Sequence, residues 1–102
     1  MSDLTINVEF SGGMELLFKN ERKHKITLPS QTNGEPTKLQ QLIFHIRDHL
    51  MTEKKDLFVD NDTVRPGILV LVNDVDWELC EELEYELEDK DQIVFISTLH
   101  GG

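Results

Sequence analysis

A chain of 102 residues with a formal net charge of −10 and 38% hydrophobic residues has room for one core, so residues 1–102 are expected to form a single domain. No apolar run approaches the roughly 20 residues that cross a bilayer, and Met1-Ser2-Asp3-Leu4 lacks the basic flank and apolar stretch of a secretory signal; no membrane partner and a cytoplasmic or nuclear address are expected. The negative charge opposes direct binding to a nucleic-acid backbone, and the lone Cys80 has no disulfide partner and belongs to no metal-ligand spacing.

In residues 4–18, Leu4, Ile6, Val8 and Phe10 alternate with polar residues, Ser11-Gly12-Gly13 interrupts, and Met14, Leu16 and Phe18 alternate again. The pattern predicts a hairpin with a three-residue loop, its glycines supplying the positive φ that such a loop needs. Residues 19–36 are polar and turn-rich. They read as loop, except that His24 to Leu28 alternates and extends the second strand.

Thr37 opens the one convincing helix. Thr37-Lys38-Leu39-Gln40 has the form of a capping box, and Leu39, Leu42, Ile43, Ile46 and Leu50 follow at helical spacing as a stripe for a sheet. Phe44 and Met51 project away from that stripe, under a covering loop or toward a partner, with the loop preferred. His45 and His49 stand four residues apart, but with no third ligand recognisable they read as a solvated pair, and no metal site is expected.

Arg65-Pro66-Gly67 predicts a turn that launches Ile68-Leu69-Val70-Leu71-Val72, an interior strand apolar on both faces. Asn73-Asp74 turns the chain into a short strand around Trp77, which is read as packing at the sheet edge. Half of the 20 acidic residues fall within residues 74–91, where Leu83, Tyr85 and Leu87 are the spaced apolar anchors. That stretch predicts an irregular crossing with a helical turn, a solvated acidic face that also suits steering toward a basic partner.

The last strand, Ile93-Val94-Phe95-Ile96, is apolar on both faces and runs into Leu99-His100-Gly101-Gly102. The order hairpin, helix, hairpin, crossing, strand predicts an α+β fold, a mixed sheet of about five strands with one main helix packed across it. A last strand lying between the first and third, parallel to the first, gives the β-grasp arrangement. Whichever of Leu69, Leu71, Val94 and Ile96 point away from the helix then form an apolar patch of the kind that binds proteins. Two terminal glycines without Cβ can thread a channel too narrow for side chains. The unhindered Gly102 carboxylate suits attack on an ATP α-phosphate; a frayed end is the plain alternative.

The order of elements and the Gly-Gly end resemble the ubiquitin-like superfamily. More specifically, Arg65-Pro66-Gly67-Ile68-Leu69-Val70-Leu71-Val72-Asn73-Asp74-Val75-Asp76-Trp77-Glu78-Leu79, with Ile96-Ser97-Thr98-Leu99-His100-Gly101-Gly102, resembles the ubiquitin-related modifiers, eukaryotic sulfur carriers. The likeness to bacterial sulfur carriers is weaker, and those often have glycine where Lys90 stands. His100 stands where ubiquitin has arginine, so an activating enzyme other than ubiquitin's own is implied.

The resemblance implies a carrier and modifier rather than an enzyme, with no bound cofactor. An E1-like activating enzyme with a rhodanese-like domain would use MgATP to adenylate Gly102 and then convert it to a thiocarboxylate, recognising Leu99, His100 and Gly101. A separate tRNA thiolase complex would pass the sulfur to the wobble uridine, and lysines of target proteins would be the second acceptor. A β-grasp module that only docks proteins through its apolar face, without conjugation, is the rival reading. No nucleophile elbow, phosphate loop or dinucleotide fingerprint supports an enzyme.

Overall fold

The alternation at the start of the chain produces a strand. In the computed structural model, which describes residues 3–97, β1 (Asp3–Ser11) buries Leu4, Ile6, Val8 and Phe10. The expected second strand at residues 14–18 is a 3-10 turn instead, Met14–Phe18. Period-two spacing would have buried Leu16, which is 71% exposed, whereas Met14 and Phe18 go inward. Phe18 stacks on Phe10 at 3.8 Å between ring centroids, an aromatic contact available only once the chain has turned back. The true partner is β2 (Lys23–Pro29), antiparallel to β1 from Glu9↔Lys23 to Asp3↔Pro29.

The stretch expected to be loop holds a small hairpin, β3 (Gln31–Thr32) with β4 (Glu35–Pro36). Asn33 and Gly34 occupy its turn, both at positive φ, the residue pair that a two-residue hairpin connection favours.

The helix α1 (Leu39–His45) begins one residue later than the expected box. Lys38 is its N-cap, and Gln41 reaches back to the Lys38 N–H at 2.7 Å. Thr37 is buried and donates its hydroxyl to the Pro29 carbonyl at 2.6 Å. Leu39, Leu42, Ile43 and Ile46 are all fully buried, but the last turn, Ile46–Leu50, is π-helical. The wider turn changes the phase of the stripe. Leu50 is left half-buried while Met51 enters the core, and Phe44 is half-buried against it with the Arg47 guanidinium over its ring.

A second small hairpin, β5 (Val59–Asp60) with β6 (Thr63–Val64), precedes β7 (Ile68–Val72). After the Asn73-Asp74 turn, β8 (Val75–Asp76) is shorter than expected, because Asp76 caps a 3-10 turn that takes Trp77 into the core. The acidic crossing contains a further 3-10 turn, Glu82–Glu84, and reaches β9 (Gln92–Ser97).

The sheet order is β2-β1-β9-β7-β8, with β9 parallel to β1 and antiparallel to β7. The strand apolar on both faces is therefore central, and the fold is the expected mixed five-stranded β-grasp. Its core packs sheet residues Ile6, Val8, Val70, Ile93 and Phe95 with the buried stripe of α1.

Candidate functional site

Strand alternation assigns the two faces. On β7, Val70 and Val72 point into the core, and on β9, Ile93 and Phe95 do the same. Their neighbours Leu69, Leu71, Val94 and Ile96 therefore take the opposite face. The antiparallel register sets Leu69 opposite Ile96 and Leu71 opposite Val94, so all four expected residues converge on one patch. Leu69, Leu71 and Ile96 are half-buried, and Val94, although only 8% exposed, lies outside the core cluster. Charged residues border the patch: Glu9 is the β1 neighbour of Val94, and Asp76 pairs with Leu71.

This patch adjoins the strand that carries the tail. Ile96 stands six residues before Gly102 in the chain, at the end of β9 where Ile68 pairs with Ser97. The β1–β2 connection packs against the same end. A Cβ at Gly12, whose φ is +68°, would stand 2.5 Å from the Ser97 carbonyl oxygen and 3.1 Å from Ile96 Cγ2. Gly12 is thus where the loop backbone comes against the root of the tail. Exposed Leu16 follows on that loop, a surface apolar residue that alternation had assigned to the core. Leu99, His100, Gly101 and Gly102, the remaining expected site residues, lie outside the described residues.

A buried carboxylate that no spacing announced holds the far end of β9. Asp91 accepts hydrogen bonds from the Tyr85 hydroxyl at 2.7 Å, the Asn73 side-chain amide at 2.9 Å and the Glu88 N–H at 2.9 Å. Its own carbonyl accepts from the Asn7 N–H at 2.9 Å. Asp91 therefore ties the acidic crossing and the β7–β8 turn to the sheet. Burial, reinforced by the bond to Asp91, pushes the Tyr85 phenol above its ordinary range.

The remaining candidates carry less. The His45 and His49 rings lie 4.6 Å apart, and burial together with the neighbouring His49 lowers the His45 pKa. Among the described residues no cluster of three or more His, Cys, Asp or Glu could hold a metal ion. Cys80 is half-buried. No described helix is long and apolar enough to cross a membrane. Lys38 and Glu84 form an ion pair at 2.8 Å that links the helix start to the crossing.

Comparison with known proteins places the whole chain in a family. A family described as Urm1 (Ubiquitin related modifier) matches residues 5–102. Ubiquitin-related modifier 1 of Homo sapiens is 54% identical, over 97% of this chain and 96% of its own. The protein of the same name from Coprinopsis cinerea is 51% identical, over 97% and 93% respectively. The solution structure of Urm1 from Trypanosoma brucei superposes with a TM-score of 0.77 at 41% identity, covering all of both chains.

Proposed function

The chain belongs to the ubiquitin-related modifier family, and from that premise we propose that it is a sulfur carrier and protein modifier whose reactive group is the Gly102 carboxylate. The observation that carries the proposal is the convergence of Leu69, Leu71, Val94 and Ile96 on the face of the strand leading to that terminus. A partner seated on this patch holds the root of the tail, so the glycines reach its nucleotide site at high effective concentration.

The chemistry belongs to the activating enzyme and begins with a weak acyl donor. A Gly102 carboxylate oxygen attacks the α-phosphate of MgATP, pyrophosphate leaves, and the acyl adenylate gives the carbonyl carbon a good leaving group. The terminal sulfur of a persulfide on the enzyme's rhodanese-like domain attacks that carbon and AMP departs. An enzyme thiol then reduces the resulting acyl disulfide, becoming disulfide-bonded itself, and Gly102 is left as a thiocarboxylate. Attack by a lysine amine on the activated acyl carbon gives the isopeptide product instead.

The thiocarboxylate sulfur goes to the 2-position of a tRNA wobble uridine through a thiolase that holds the RNA. Net charge supports this division of labour, since a chain of −10 repels a phosphate backbone and leaves RNA binding to another protein. The acidic residues 74–91 draw the carrier toward basic partner surfaces.

Pyrophosphate exchange tests the first step. The activating enzyme should exchange pyrophosphate with the full chain and lose that activity with a Gly102-deleted chain whose circular dichroism is unchanged. Normal exchange by the deleted chain would overturn the proposal.

A further inference from the structure

The ten Lys and Arg residues are unevenly spread: Lys19, Arg22, Lys23 and Lys25 fall within seven residues, with Glu21 as the one acid among them. That segment leads into and forms the start of β2, one edge of the sheet. The acidic residues 74–91 begin at the opposite edge, with Asp76 on β8, and return to β1, where Asp89 accepts from the Thr5 N–H at 2.7 Å. The four cations are thus gathered at the β2 edge, whereas the acids run from the β8 edge across to β1.

The β2 edge is also open to pairing. The Phe10 N–H donates to the Arg22 carbonyl at 2.7 Å, which makes these two a hydrogen-bonded pair of the antiparallel ladder. Alternation then turns the peptide groups of His24, Ile26 and Leu28 toward β1 and those of Lys23, Lys25 and Thr27 outward. No described strand pairs with that outer edge. The side chains of Lys23, Lys25 and Thr27 are exposed, and both lysines line a shallow groove of about 390 Å³ that reaches Gln92 on β9 and holds one acid, Glu9, the cross-strand partner of Lys23. Arg22 is held by Glu15 at 3.7 Å, whereas Lys23 and Lys25 take part in none of the ion pairs among the described residues.

We propose that β2 is a docking edge for an extended acidic segment of a partner protein, which adds as a further strand and sets its carboxylates against Lys23 and Lys25. Outward N–H and C=O groups at every second residue select a polypeptide backbone, and the two lysines select its charge. A second copy pairing through the same edge would set like charges against each other. The opposite edge, β8, has only two residues to offer. Nucleic acid supplies phosphates but no peptide ladder. The site is distinct from the Leu69 and Leu71 patch, so it stands whether or not the tail chemistry does.

Amide shifts and hydrogen exchange of the isotope-labelled full chain test the inference, with a synthetic peptide of alternating glutamate and valine as the probe. The amides of Lys23, Lys25 and Thr27 should shift and exchange more slowly. The glutamine counterpart of the peptide, or the Lys23→Glu/Lys25→Glu chain, should bind at least about tenfold more weakly. Thr27→Pro removes one outward N–H, retains both charges and respects the rule that edge strands tolerate proline; it should also lose the peptide. Equal binding of the glutamine peptide, shifts centred on Leu69 and Leu71, no shift at saturating peptide, or an RNA oligonucleotide displacing the peptide from β2 would each overturn the proposal.

Discussion

Gly12 and Ser97 are held at a distance that excludes a side chain: a methyl group on Gly12 would lie 2.5 Å from the Ser97 carbonyl oxygen. The contact fastens the β1–β2 connection to the strand end from which the Gly-Gly tail continues. Gly12→Ala adds a backbone clash to a positive φ of +68° and should cost about 2 to 4 kcal/mol in urea unfolding. Gly13→Ala, also at positive φ but with nothing within 4 Å of the added carbon, should cost less, about 1 to 2 kcal/mol. Equal losses would show that the Ser97 contact carries no weight.

The apolar patch separates binding from stability. Leu71 is half-buried on the face away from α1 and outside the core cluster. Leu71→Glu should therefore shift folding stability by no more than about 1 kcal/mol. Affinity for the activating enzyme should fall at least tenfold, about 1.4 kcal/mol. Val70→Glu, on the core face, should instead unfold the chain. Unaltered calorimetric affinity for Leu71→Glu would place the docking surface elsewhere.

Tyr85 is the chain's single tyrosine, so phenolate absorbance reports on it alone. Burial and the hydrogen bond to Asp91 raise its ionisation above the ordinary value. Because the folded value lies above the unfolded one, the stability contributed by the neutral phenol is full below about pH 10 and is lost as pH rises through the folded value. The alkaline absorbance midpoint should fall to about 10 when urea unfolds the chain. Tyr85→Phe should lack this tyrosine-linked loss of stability. A native midpoint near 10 would mean that the phenol is solvated.

Much of this architecture was legible because burial follows simple periods. Alternation found β1 and both faces of β7 and β9, and the two-faced hydrophobicity of β9 gave its central place in the sheet. Met14, Leu16 and Phe18 misled because period two fits a strand as well as a 3-10 turn with two buried ends; the stacking of Phe18 on Phe10 decides between them. Met51 moved inward because the helix ends in a π turn, a change of pitch that apolar spacing does not announce. The side chain of Asp91 reaches partners up to 18 positions away, and polar contacts at that range leave no periodic trace. The four patch residues were named from the sequence, but their common face required the register Leu69↔Ile96 and Leu71↔Val94. The expected tail residues Leu99, His100, Gly101 and Gly102 lie outside the described residues, and their role rests on chemistry and family membership.

The most direct test of the carrier account is the intact mass of the chain isolated from its own cells, with the terminus trapped by a thiol-reactive alkylating agent. A fraction of the chain should carry sulfur in place of one oxygen of the Gly102 carboxylate, alkylated there as well as at Cys80, and this fraction should be absent from cells that lack the activating enzyme. A terminus that stays an ordinary carboxylate in cells actively thiolating tRNA would contradict it.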